Sequence, residues 1–342
     1  MNVLIQYGDI TRNPLYNCSA MYTTSPERER VKRPTLGLSV MGYGAITLVL
    51  YSLALIVMRR KAVYQFTCYK IMFCLGFSDM TSSIINNFIM GYYIYDGISF
   101  CDYPNILYTS GCFNMAGWST SCFFCLLLVL NRVLDIVGVR RSIMNFFFDP
   151  LHLKLIISLG YLYGSYFIFI ANPPLFSSRL CTSILDPLIY LNKANDYTCK
   201  VFVFNNIVVV ATTCSLYTFY CIFVSHRFHE LSNLNTSTHR KLQQQIFAQV
   251  TIMCCLHFSC SVIFTLLQFI TIPLALANFI NVVYQITTGA PAVVYILLNK
   301  TIRQGIAELF GQTQKLVFSK VFQQLHLKAS IAYISDDKVF RE

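Results

Sequence analysis

Tyr69-Lys70-Ile71-Met72-Phe73-Cys74-Leu75-Gly76-Phe77-Ser78-Asp79-Met80-Thr81-Ser82-Ser83-Ile84-Ile85-Asn86-Asn87 is apolar enough to cross a bilayer and carries a carboxylate in its middle. A hydrocarbon core about 30 Å thick needs roughly 20 apolar residues to span it. The stretch continues to Tyr93, and six more of similar length accompany it: Leu36–Met58, Ile106–Asn131, Leu155–Phe176, Val201–Val224, Ile246–Ile270 and Leu274–Leu298. Asp79 is the one carboxylate within all seven.

Composition agrees. Charged residues make up 12% of the 342 and the mean hydropathy is +0.54. Soluble domains carry roughly 25% charge. Transmembrane β-strands would be much shorter and would alternate in polarity. The expected fold is an all-α membrane protein, a bundle of seven transmembrane helices. Residues 1–35 read as a polar segment without an apolar signal region. Residues 36–310 read as the bundle followed by a short amphipathic eighth helix, and 311–342 as a tail. In that eighth helix, Ile302, Ile306, Leu309 and Phe310 share one face. Pro173-Pro174 should end span four, and Pro291 should kink span seven.

Orientation follows the distribution of Lys and Arg. Most of the 26 fall inside if the N-terminus is outside and the C-terminus inside. The net charge of +11 then reads as attraction to anionic lipid, not to nucleic acid. Asn17-Cys18-Ser19 is a glycosylation sequon on the outer side, while Asn235 and Asn299 head sequons on the inner side. Four of the 14 cysteines fall outside: Cys18, Cys101, Cys181 and Cys199. An even number in an oxidising compartment points to two disulfides, with three pairings open.

Polar residues form stripes inside the spans. Steps of three and four align Asp79, Ser82, Ser83 and Asn86. Asp79 lies thirteen residues beyond Phe66, about 20 Å along a helix. A carboxylate there is costly, so it must face protein, water or an ion. The functional reading is a cation or proton site, with sodium a candidate. The alternative is a protonated structural acid. Span three aligns Asn114, Trp118, Ser121, Cys125, Leu128 and Arg132. Trp118, the single tryptophan, offers an apolar face and an N–H that needs a partner. Span seven aligns Asn278, Asn281, Gln285 and Thr288, of which Gln285 and Thr288 are candidate partners for Asp79. Span five opens with Asn205-Asn206, and span six holds His257 on an apolar background. For any one of these residues, plain bundle packing is the competing reading.

Asn131-Arg132 ends span three. Arg132 could snorkel to lipid phosphate. If the helix continues, it could instead pair with Asp135 three residues on. His226, His229 and His239 stand among Asn, Ser and Thr and read as a solvated basic loop, not a metal site. No phosphate-binding loop, metalloprotease helix or nucleophile elbow appears, so the chain is not expected to be an enzyme.

Seven spans with Asp79 in the second and Arg132 ending the third resemble the rhodopsin-like G-protein-coupled receptors. Leu75-Gly76-Phe77-Ser78-Asp79 resembles the second-span motif, and Asn131-Arg132-Val133 resembles a variant of Asp-Arg-Tyr. Ser121 matches the serine that joins the sodium pocket in that class. Pro291 to Tyr295 and Leu298–Arg303 are similar to the end of span seven and the start of helix eight. The chain departs from the pattern at Ala290 before the span-seven proline, and span six has no proline before Pro273. A more specific resemblance is to the nematode serpentine chemoreceptors of class T. It rests on Pro14-Leu15-Tyr16-Asn17-Cys18-Ser19, Cys68–Phe73, Phe100-Cys101-Asp102-Tyr103-Pro104, Leu130–Asp135, Asn205-Asn206 and Tyr295–Arg303.

This resemblance implies a chemosensory receptor in the plasma membrane of sensory neurons. Helical periodicity, not the resemblance, gives Asn114, Trp118, Asn205, His257 and Gln285 as the candidate contacts of a small external ligand. Asp79, Ser121 and Thr288 would form an ion or switch site. Asn131, Arg132 and Asp135 would meet a heterotrimeric G protein. Cys18 and Cys101 both lie in matching segments, which implies Cys18–Cys101 with Cys181–Cys199. A bridge from Cys101 to the second outer loop is the rival. The alternative functions are a ligand-gated cation channel and a secondary transporter using Asp79.

Overall fold

The computed structural model describes residues 3–20, 30–137, 148–190, 194–231, 237–266 and 274–311. The tail beyond residue 311, the Asn235 sequon and Pro273 lie outside them, as do the side chains of His226, His229, His239 and Asn278.

Six described helices are long and apolar enough to cross a membrane unbroken. They belong to Pro34–Met58 (span one), Pro104–Val137 (span three), Pro150–Phe169 (span four), Lys200–Leu231 (span five), Ser237–Leu266 (span six) and Leu274–Leu298 (span seven). Span two is Thr67–Asp96, and it is interrupted. An α-helix over Thr67–Ser83 passes through a π-turn at Ile84–Ile89 into a second α-helix at Met90–Asp96. The π-turn falls where Asn86 and Asn87 are buried, so the wider helical path coincides with the polar stripe.

Local sequence sets the ends. Pro34, Pro104 and Pro150 open spans one, three and four, where a missing N–H costs nothing. The Asp149 carboxylate accepts from the Leu151 N–H at 3.3 Å and caps span four. Gly97, with φ +68°, closes span two in the left-handed conformation.

Span four starts and ends earlier than expected. Its helix stops at Phe169, and Leu175–Ser177 instead forms strand β1. Pro173 biases Asn172 away from helix, and neither proline can donate to a helical turn. Strand β1 pairs antiparallel with β2, Thr182–Ile184, placing Phe176 opposite Ser183. Span seven runs as one helix through Pro291.

Span three is the most deeply buried of the six unbroken spans and packs against spans two, four, five and six. Gly117 is one reason. A Cβ there would overlap the Ser82 hydroxyl, so a larger residue would require that hydroxyl to turn away and would press on the Ser82 Cβ at 3.2 Å. Apolar faces elsewhere point outward: Leu155, Leu159 and Leu162 on span four are more than half exposed. In a bilayer such a face meets lipid.

Residues 3–20 are not a loose polar segment. Ile10 and Tyr16 are fully buried in a cluster with Phe100, Tyr108 and Tyr197, because this segment contributes apolar side chains that the bundle end would otherwise leave exposed. The Tyr16 ring lies 5.5–5.8 Å from the Phe100, Tyr108 and Tyr197 rings. The Ile10 N–H donates to Asn105 Oδ1 at 2.9 Å. The Tyr197 hydroxyl donates to the Leu15 carbonyl at 2.5 Å, and that of Tyr190 to the Pro14 carbonyl at 2.7 Å. The Thr11 N–H and hydroxyl hold the Asp9 carboxyl below the usual carboxylate range. Residues 300–311 are helical.

Candidate functional site

Span three threads three polar centres in the order Asn114, Ser121 and Arg132. Near the N-terminal end of the bundle a cavity of about 40 Å³ opens beside Asn114. Its wall includes Met90 of span two, Met115 of span three, Phe202 of span five, Phe264 of span six, and Asn281 and Tyr284 of span seven. The β-hairpin region adds Pro174, Thr182 and Ser183. Gly111 seats this region directly on span three, where a Cβ would come within 2.5 Å of the Pro174 carbonyl oxygen. The Tyr284 hydroxyl donates to Asn114 Oδ1 at 2.8 Å.

Trp118 is buried and does not line this cavity. Its indole N–H donates to Asn206 Oδ1 at 3.0 Å. Its ring stacks on His257 at 5.5 Å with planes 11° apart, and meets Phe264 and Tyr284 edge-on at 5.4 and 5.6 Å. Trp118 therefore joins spans three, five, six and seven beside the cavity, and Phe264 and Tyr284 belong to both groups. Asn205 is engaged too: Tyr163 donates to its Oδ1 at 2.8 Å. His257 Nδ1 lies 3.0 Å from the Met253 carbonyl of its own helix. Gln285 is buried and its Nε2 has no hydrogen-bond partner. Of the five expected ligand contacts, Asn114 alone lies on the cavity wall.

Asp79 lies 1% exposed between spans one, two and three. The Ser121 and Tyr51 hydroxyls face its carboxyl group. Yet Asp79 Oδ2 and Ser121 Oγ make no hydrogen bond, and neither polar atom of the Asn86 side chain does. Buried polar atoms almost always find partners. Asp79, Ser121 and Tyr51 therefore fit a small cation or ordered water, which would complete a partial shell of oxygens. Thr288 takes part differently than expected. Its hydroxyl donates within span seven, to Gln285 O at 3.0 Å, while its carbonyl accepts from Tyr51 at 2.6 Å.

At the C-terminal end, span three continues as helix to Val137. This places Arg132 NH1 3.5 Å from Asp135 Oδ2, with the arginine side chain 14% exposed and the aspartate 62%. Arg132 Nε has no partner, and Asn131 is buried. Between the Asp79 and Arg132 levels, Cys125 of span three faces Cys254 of span six, Sγ to Sγ 3.5 Å.

Cys18 and Cys101 are joined by a disulfide, their Cα atoms 5.7 Å apart. Cys181 and Cys199 are not joined to each other or to Cys101; both are buried thiols. The implied second bridge is therefore corrected. Cys181 packs in the cluster around Tyr16, whereas Cys199 packs in the one around Trp118. Asn17, beside the disulfide, is half-buried, and its Oδ1 accepts from the Ser19 N–H at 2.9 Å.

Residues 3–317 match the family described as "Serpentine type 7TM GPCR chemoreceptor Srt". The chain belongs to the Srt family. Serpentine receptor class T-55 of Caenorhabditis elegans is 24% identical over 253 residues, covering 74% of this chain and 68% of that protein. The crystal structure of squid rhodopsin superposes with a TM-score of 0.64 at 15% identity, over 86% of this chain and 92% of that one. This Srt protein thus has a rhodopsin-like fold and is a G-protein-coupled-receptor-like membrane protein. Its family is one described as chemoreceptors.

Sequence periodicity missed much of the cavity wall. Asn281 stood in the span-seven stripe but was not assigned to the ligand. Phe202, Phe264 and Tyr284 are ordinary apolar residues by sequence, and Thr182 and Ser183 arrive through a hairpin with no turn signal at Cys181. Cys181 itself adopts a positive φ of 54°.

Proposed function

We propose that this Srt protein is a chemosensory G-protein-coupled receptor in the plasma membrane of sensory neurons. It binds an external small molecule in the cavity beside Asn114 and signals to a heterotrimeric G protein. The observation that carries this reading is span three. One helix, buried along its length, holds the cavity residues Asn114 and Met115 near one end and the Arg132–Asp135 pair near the other. A ligand that favours one arrangement of spans five to seven around Trp118 would shift the population at the far end as well.

The Cys18–Cys101 disulfide and the neighbouring Asn17 sequon support an N-terminus outside, where thiols oxidise and glycans are added. The C-terminus and the helix at residues 300–311 then lie inside, with that helix along the membrane surface. Asp79 and Ser121 hold sodium or water in the resting state. The Arg132–Asp135 contact restrains that state, and its release presents Arg132 and Asn131 to the G protein.

The test is ligand-panel signalling in cells, wild type beside Arg132→Ala at matched surface level. The expected result is a wild-type response lost in the variant. A cation current that persists without G protein, or in Arg132→Ala, would reject the coupling.

A further inference from the structure

Among the described residues, the cavity wall carries no acidic, basic or histidine side chain. We infer that it takes a small, uncharged molecule with one hydrogen-bond-accepting group, such as a short-chain ketone. This rests on the receptor reading above and adds the chemical class of ligand.

The donors decide the class. Tyr284 donates to the Asn114 oxygen, which leaves the Asn114 amino group as the donor at the wall. Asn281, 5% exposed on the facing span, supplies a second carboxamide. Each carboxamide can donate to an accepting oxygen. The rest of the wall is uncharged: Phe202, Phe264, Met90 and Met115 are apolar, and the hairpin adds the Thr182 and Ser183 hydroxyls. An ammonium or carboxylate buried here would lose its water without gaining an opposite charge.

Size points the same way. About 40 Å³ is room for a few waters, so a ligand must be small. Met90 and Met115 are the wall residues best able to yield, since unbranched thioether side chains repack readily. The Ser183 hydroxyl already donates to the Met90 sulfur at 3.7 Å, so movement of Met90 would be felt by the hairpin.

The experiment measures binding to the purified full-length receptor by thermal stabilisation. The probes are three series of equal chain length: methyl ketones, primary ammonium ions and carboxylates. The ketones should stabilise wild type, with apparent affinity at least tenfold above either charged series. Asn281→Asp should reverse the order, weakening the ketones and admitting the ammonium ions. A gain of binding cannot come from misfolding. Equal or better binding of a charged series to wild type would overturn the inference. So would no stabilisation by any series, or an Asn281→Asp receptor that keeps the ketone preference. Ketone binding without G-protein signalling would leave this inference standing and reject the coupling.

Discussion

The two ends of the bundle are held differently. At the N-terminal end, covalent and charge-assisted contacts tie the segments together, although the Tyr93–Ser110 and Tyr108–Asn172 contacts there are 3.4 Å long. A disulfide joins Cys18 to Cys101, and Arg33 donates to the Ser178 carbonyl at 2.6 Å and the Arg179 carbonyl at 3.0 Å. Arg30 pairs with Asp102, and Lys32 with Asp96 at 2.6 Å. At the opposite end, neutral hydrogen bonds join the spans. Tyr69 donates to Asn299 Oδ1 at 3.1 Å, Asn299 to Gln249 Oε1 at 3.4 Å, and Tyr295 to the Met72 carbonyl at 3.4 Å. Arg132 and Asp135 are 3.5 Å apart. Charge-assisted bonds at good geometry run near 2.8 Å, and contacts near 3.5 Å are weak. Among the described residues, the difference sets a fixed end, tied by a disulfide and ion pairs beside the cavity, against an end held by neutral or partly exposed contacts.

Breaking the fixed end should give the largest effect. Cys101→Ser opens a link across 83 residues, and the chain-entropy account assigns such a link about 4.5 kcal/mol. Surface expression and thermal stability should fall together, and Cys18→Ser should match it. Cys181→Ser or Cys199→Ser should cost much less, because neither thiol is bridged. If Cys199→Ser proved as damaging as Cys101→Ser, the pairing would have to be redrawn.

Loosening the other end should act on signalling instead. Asp135→Asn removes the partner of Arg132, but that partner is largely exposed, so the pair contributes under about 1 kcal/mol. Basal G-protein activation should rise by less than about fivefold with surface level unchanged. An unchanged basal rate would remove the latch from the account.

The smallest effect lies at the fixed end. Partial burial raises the Asp186 carboxyl above the ordinary carboxylate value, although the Leu188 N–H donates to it at 2.8 Å. A raised folded-state value means that stability is fully present below the unfolded pKa and declines as pH rises through the folded one. Asp186→Asn keeps the acceptor and removes the charge. It should melt slightly higher than wild type at neutral pH and equally at acidic pH. A lower melting point at neutral pH would show that the charge itself is needed.

The contrast between the ends also marks what could be read from the chain. The seven spans were legible because each is a long apolar run, and the Asp79, Asn114 and Arg132 levels were legible because polar residues recur there at helical spacing. The packing of Ile10 and Tyr16 was not, since it depends on aromatic rings from Phe100, Tyr108 and Tyr197 that are distant in sequence. Trp118 was correctly singled out as needing an N–H partner, but helical spacing could not tell a cavity wall from the Asn206 and His257 contacts beside it. Span two showed no breaker at its π-turn, where Ile84-Ile85-Asn86-Asn87 reads as continuous helix.

The most direct measurement is a pair of distances by spin labels in the purified receptor. One pair, at Tyr103 and Arg179, spans the fixed end; the other, at Leu134 and Ala248, joins the C-terminal end of span three to the N-terminal half of span six and leaves the Arg132–Asp135 pair intact. Both are read with and without the panel compound that gives the largest response. The account predicts an unchanged first distance and a longer second one. A first distance that shifts while the second stays fixed would contradict it.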